Sequence, residues 1–147
     1  MTFTELYEQD IHAWTRQTAE LLRQQRFAEL DVEHLIEEME TLGRRDRQGL
    51  VSRLKILLAH LLKWHFQPAH RSSSWRGSIL EQHLRIRDLL QDAPSLEPYL
   101  PEAAAKAWCD GVRLTSKETG LPPAAFPASL HYALDSHLDD DWLPGNI

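Results

Sequence analysis

Apolar residues at Phe3, Tyr7, Ile11, Trp14, Leu21 and Leu22 recur at steps of three and four, the spacing of a helix with one buried stripe. The pattern predicts a first helix from about Thr4, a candidate N-cap, to about Gln25. Asp31 is the next candidate N-cap, with Glu33 well placed for the positive end of the helix dipole. Leu35, Ile36, Met39 and Leu42 then share one face, and this short second helix is expected to end near Gly43. From Arg45 to about Gln67 the positions Leu50, Leu54, Leu57, Leu58, Leu61, Trp64 and His65 describe the longest and most apolar helix, the expected centre of a bundle. Pro68 stops it, because proline cannot donate into the helical ladder.

Ser72-Ser73-Ser74 can cap a fourth helix on which Trp75, Ile79, Ile86, Leu89 and Leu90 lie on one side, ending at Asp92-Ala93-Pro94. A fifth starts at Ser95, with Glu97 and Pro98 suited to a first turn, and runs to Gly120. Pro101 is awkward there, and tolerable if the helix proper begins only around Leu100, leaving Ser95 to Tyr99 as a capping turn. Three prolines between Leu121 and Ala128 mark an irregular strap, after which Ser129 caps a last short helix ending near Leu138. No segment alternates with the period of a strand and no repeat is visible. The expectation is an all-α chain: one domain over residues 1–147, a bundle of about five main helices plus a short C-terminal one. A length of 147 residues suits one core.

Charge changes this picture. The net charge is −6, but residues 43–87 hold ten Lys/Arg and two acids, while the segments before and after each hold ten acids and three basic residues. Either one part of the fold neutralises another, or the middle meets an anionic partner. Cys109 is the only cysteine, so no internal disulfide and no Cys-based zinc site can form, which suits a reducing compartment. The longest apolar run, Ile56 to Ala59, is broken by His60, too short for a membrane span. The start Met1-Thr2-Phe3-Thr4-Glu5 has neither the basic nor the apolar region of a secretion signal. A cytoplasmic protein with no membrane partner is expected.

Several blocks then fall in a recognisable order: Tyr7-Glu8-Gln9-Asp10 with Ala13-Trp14, Leu30-Asp31-Val32-Glu33-His34-Leu35 with Glu37-Glu38 and Leu42-Gly43, and Leu58 to Trp64 before Pro68. Arg71, Ser74-Trp75, Ile79, Pro94-Ser95-Leu96 and Glu118-Thr119-Gly120 continue the series. Together, over roughly Leu6 to Pro144, they resemble the bacterial family catalogued as domain of unknown function 29. The resemblance implies a small bacterial helical protein, with no settled activity and no catalytic residue to carry over.

Three constellations could carry chemistry. Glu38 at the edge of one apolar arc and His60 at the edge of the next could meet across a helix interface, with His65 buried nearby, a polar core pair or the start of a metal-dependent hydrolase. The Glu-x-x-His signature that makes metal ligands converge in bundles is missing, so no metal and no cofactor is expected. The segment His70 to Arg76 surrounds a helix start with Arg71, Ser73, Ser74 and Arg76, a candidate anion site; the bland reading is that the serines cap the helix and the arginines pair with acids. Arg44, Arg45, Arg47, Arg53 and Lys55 extend the positive block and raise nucleic acid as a partner, but they spread around their helix and match no nucleic-acid-binding motif.

Among the tryptophans, Trp14, Trp64 and Trp75 lie on predicted core faces, with Gln82 also inward, and Trp142 is expected to clasp the tail or meet a second subunit. With no phosphate loop, no nucleophile elbow and no complete catalytic set, the sequence favours a non-catalytic interaction or regulatory module over an enzyme. The partner expected is a protein or a second copy. The alternatives are a nucleic-acid or nucleotide binder on the basic segment, and the metal-dependent hydrolase.

Overall fold

The computed structural model describes residues 2–129 and 142–144. Among them are five α-helices and no strand: α1 (Phe3–Gln9), α2 (Ile11–Arg23), α3 (Val32–Phe66), α4 (Ser73–Asp92) and α5 (Leu100–Thr119), with short 3₁₀ turns at Phe27–Glu29, Pro68–His70, Pro94–Tyr99 and Pro123–Ala125. The all-α expectation holds. The chain contacts cluster in two compact units, Met1–Arg45 and Asp46–Ile147.

In the first unit the single helix expected over Thr4 to Gln25 is two. Asp10, at φ −151° and ψ 82°, leaves the helical region, and its carboxylate accepts from the Ala13 N–H at 3.0 Å to start α2. Its own N–H donates to the Leu6 carbonyl and closes α1. An aspartate in the middle of an apolar series competes for the backbone amides, and here it wins. The cap of α1 is Thr2 rather than Thr4, in a reciprocal box with Glu5. Asp31 does open α3: its carboxylate accepts from the His34 N–H.

Gly43 does not end that helix. α3 continues for 35 residues, so the expected second and third helices are one. A glycine in an exposed helix interior costs only about 1 kcal/mol. With no capping residue or proline after it, and good helix formers on both sides, that is too little to break the ladder.

Only Trp14 and Thr18 are buried among the described residues of the first unit. The Phe3 and Tyr7 rings pack on Trp14 at centroid distances of 6.0 and 5.0 Å. The face expected to enter a core does not do so: Leu35 is half-buried, while Val32, Ile36, Met39 and Leu42 are 52–57 % exposed.

The second unit holds a full core. Leu50, Leu54, Leu57, Leu58, Leu61 and Leu62 of α3 meet Ile79 and Ile86 of α4, Leu96, and Leu100, Ala103, Ala107 and Trp108 of α5. Small residues bring α5 close to α3. A Cβ placed on Gly111 would lie 3.4 Å from the Leu58 Cβ, and the Thr115 hydroxyl reaches the carbonyls of Gly111 and Ala59.

Pro101 falls in the first turn of α5, where its missing N–H is not needed, and Gly120 at φ 78° closes that helix. Trp64 is buried and Trp75 half-buried, as the helical pattern required, and Gln82 is buried as expected. Leu143 packs against this core and Pro144 is fully buried. The last helix expected after Ser129 lies outside the described residues.

Candidate functional site

Of the polar site residues that the sequence proposes, Glu38 lies in the first unit, in a cluster with Tyr7, Asp31 and His34. The Tyr7 hydroxyl donates a 2.6 Å hydrogen bond to Oε1 of Glu38, joining α1 to α3. The Tyr7 ring stacks on the His34 ring, centroids 3.9 Å apart and planes 20° from parallel, and Nδ1 of His34 lies 2.6 Å from Oδ2 of Asp31. Asp31 therefore caps α3 with one oxygen and holds the imidazole with the other.

These contacts shift three ionisations. The Tyr7 phenol is pushed up to about 12, chiefly because it donates to the Glu38 carboxylate, with burial and the charge of Glu37 adding. His34 titrates above its ordinary value: the bond to Asp31 holds the proton, and burial opposes it. Burial disfavours the Asp31 carboxylate, yet the side-chain and backbone bonds from His34 outweigh it and its pKa is lowered. The cluster is a carboxylate–imidazole pair and a phenol–carboxylate pair lying face to face. The phenol pair and the ring stack fasten α3 to α1, while the imidazole pair is local to the start of α3.

Beside the cluster runs a cleft of about 280 Å³ between α2 and α3, lined by Trp14, Thr18 and Leu22 on one side and by Leu35, Met39 and Leu42 on the other, with Glu38 and Arg45 at its edges. Its walls are mostly apolar. Two members of the exposed α3 stripe, Met39 and Leu42, are among its walls.

The expected pairing of Glu38 with His60 needs two facing helices, and the structure has one. Glu38 and His60 sit on α3, 22 positions and about six turns apart. Glu38 is taken up by Tyr7, and Nδ1 of His60 lies 2.9 Å from the Ile56 carbonyl one turn back. His65 is half-buried with its ring 4.5 Å from that of Phe66. Among the described residues no group of three or more His, Cys, Asp or Glu is placed to hold a metal.

At the start of α4 the cap is Ser72, which accepts from the Trp75 N–H, while Ser73, Ser74 and Arg76 are exposed in the first turn. Arg71 turns toward the end of α3. Its Nε donates to the Trp64 carbonyl at 2.8 Å and its guanidinium lies over the Trp64 ring at 5.0 Å. A cation at a helix C-terminus satisfies a carbonyl that has no partner within the helix.

Other cations of the basic segment lie over aromatic rings or pair with acids. Arg47 lies over Tyr99, Lys63 over Trp75 while also pairing with Glu118, and Arg85 pairs with Glu81. Aromatic faces share the charge compensation with acids, which charge counting alone could not reveal. Arg44, at the other end of the block, donates to the Thr41 hydroxyl.

Fold and site together define an all-α protein whose polar clusters knit helices to one another and whose N-terminal unit keeps an apolar face open. It belongs to the family described as Domain of unknown function DUF29, whose model matches residues 6–143. No curated protein and no solved structure matches the chain. Among the described residues no helix is long and apolar enough to cross a membrane.

Proposed function

We propose that this protein is a non-catalytic interaction module whose recognition surface is the open face of its N-terminal unit. The observation that carries the reading is an imbalance: among the described residues, seven of the ten exposed large apolar side chains (Ile11, Leu22, Phe27, Val32, Ile36, Met39 and Leu42) belong to this unit, which buries only Trp14 and Thr18. Single exposed apolar residues are ordinary; a helical stripe of four beside an apolar cleft marks a binding surface. The polar cluster of Tyr7, Asp31, His34 and Glu38 fixes the helix that presents the stripe. The family resemblance and the single cysteine support a bacterial, cytoplasmic setting for it.

The test is a photoreactive amino acid at position 39, exposed and outside the polar cluster, in the full chain expressed in its own cells. Discrete adducts that disappear when Ile36 is changed to Glu are expected. A label that yields no adduct, or adducts indifferent to Ile36→Glu, overturns the proposal.

A further inference from the structure

Resting on that reading, we infer that the occupant of the open face is a second copy of this chain, packed antiparallel against the first about a two-fold axis near Met39. The stripe Val32, Ile36, Met39, Leu42 advances by steps of four, three and three, which is the width of one helix and fits one helix in return. A two-fold contact must be complementary to itself, since each patch meets its own twin.

About Met39 the inner part of the stripe and one charged pair have that property. An axis at Met39 sets Ile36 level with Leu42, each three positions away, and Glu33 level with Arg45, each six away. Glu33 and Glu37 stand before Met39 and Arg44 and Arg45 after it, while Glu38 and Glu40 flank the axis itself. Antiparallel packing lays the acidic end of one helix over the basic end of the other. A parallel arrangement would lay acid on acid. A foreign helix would have to carry the pattern that this chain already has.

Size adds a second argument. Chains of about 40 residues rarely sustain a core without disulfides, metals or association. The unit Met1–Arg45 is at that limit and buries one tryptophan and one threonine among its described residues. A twin laid on α3 would cover the stripe and reach the cleft beside it. The result is two α2–α3 pairs joined through their apolar faces, an arrangement in the manner of a four-helix bundle.

The experiment is sedimentation of the full chain over a wide range of concentration. The wild type should be a dimer. Met39→Glu should be a monomer with unchanged helical circular dichroism, since the position is 57 % exposed. Glu33→Arg and Arg45→Glu, each alone, should weaken self-association by about tenfold or more, because each sets like charges level. An equimolar mixture of those two variants should recover a heterodimer, a rescue that no loss of folding can imitate.

A wild type monomeric at every concentration, a dimer indifferent to Met39→Glu, or a mixture that does not recover association overturns the inference. The position-39 crosslinker separates the two proposals. A monomeric chain that gives adducts with a foreign protein ends the self-association while leaving the interaction module intact. A monomeric chain that gives no adduct ends both.

Discussion

The Tyr7 hydroxyl and the Glu38 carboxylate are 31 positions apart in sequence and 2.6 Å apart in space. That one bond closes the N-terminal unit, since α1 is only seven residues long and has no buried residue of its own. A helix so short does not persist alone. It is held by the bond, by the stacking of Tyr7 on His34 and by the edge contact of Tyr7 with Trp14.

The first prediction concerns ionisation of this phenol. With its pKa pushed up to about 12, the neutral phenol is favoured in the folded protein. Its contribution to stability is therefore complete below the ordinary tyrosine value and lost as pH rises through about 12. Ultraviolet titration should show one tyrosine ionising later than an ordinary one, and Tyr7→Phe should remove the late step. Tyr7→Phe should also lower the thermal midpoint. A late step that survives the substitution would assign it elsewhere.

His34 and Asp31 bound a second pH window. His34 has a raised pKa, so its share is complete below the ordinary histidine value and lost as pH rises through the raised one. Asp31 has a lowered pKa, so its share is complete above the ordinary carboxylate value and lost as pH falls through the lowered one. The pair therefore stabilises most in mildly acidic solution, between the ordinary carboxylate and histidine values. Thermal midpoints measured across this range should show a maximum there. In His34→Gln the part on the alkaline side should flatten.

Much of this architecture was legible in the sequence, and the failures have identifiable causes. The second unit was read almost as it stands because Leu50, Leu54, Leu57, Leu58 and Leu61 bury completely, and Pro68, Ser72 and Gly120 act as expected at helix ends. The helix boundaries before Arg45 were misread twice. Asp10 sits within an unbroken apolar period, which hides its role as a cap, and Gly43 looked like a stop although nothing after it enforces one.

The site was harder to read. Asp31 and Glu38 both carried signals, one as a cap and the other at the edge of an apolar arc. Glu38, however, pairs with His60 only if two helices face each other, and the single α3 removes that interface. Tyr7 was placed in a core stripe, where its hydroxyl had no visible purpose. The cations over Trp64, Trp75 and Tyr99 left no mark in the sequence either, since such contacts depend on which turn faces which.

Gln25 gives a third prediction. It stands at φ 58° just past α2, where the Arg26 N–H reaches the Leu21 carbonyl and the Gln25 N–H that of Leu22. This is the double-bonded helix ending that glycine favours, occupied by a residue with a Cβ. The left-handed conformation costs a non-glycine residue about 1–2 kcal/mol, so Gln25→Gly should stabilise the protein by about 1 kcal/mol in denaturant unfolding. A loss of stability would show that the glutamine side chain contributes more than its backbone strain costs.

Gly111 gives a fourth. A methyl group there would meet Leu58 Cβ at 3.4 Å, the Lys55 carbonyl oxygen at 3.5 Å and the Ala59 nitrogen at 3.7 Å, ordinary contact distances with no room beyond them. Gly111→Ala should therefore change stability by no more than about 1 kcal/mol, any crowding being offset by better helix propensity. Gly111→Leu must push α5 from α3 and should cost about 1–3 kcal/mol. Equal effects of the two would show that α5 does not approach α3 so closely.

Arg71 and Trp64 supply the last prediction. Arg71 serves Trp64 twice, through a 2.8 Å bond from Nε to the carbonyl and through the guanidinium 5.0 Å above the ring. The carbonyl lies in the last turn of α3, where it has no partner within the helix. The bond to a charged donor and the stacked cation together are expected to contribute about 1–2 kcal/mol, more than the usual exposed ion pair at about 0–1 kcal/mol. Arg71→Leu should lose that amount in denaturant unfolding. Arg71→Lys should lose most of it, because a single ammonium cannot lie over the ring and donate sideways to the carbonyl as the planar fork does. Full stability in the lysine variant would mean that charge alone matters at this helix end and that the bond to Trp64 adds nothing.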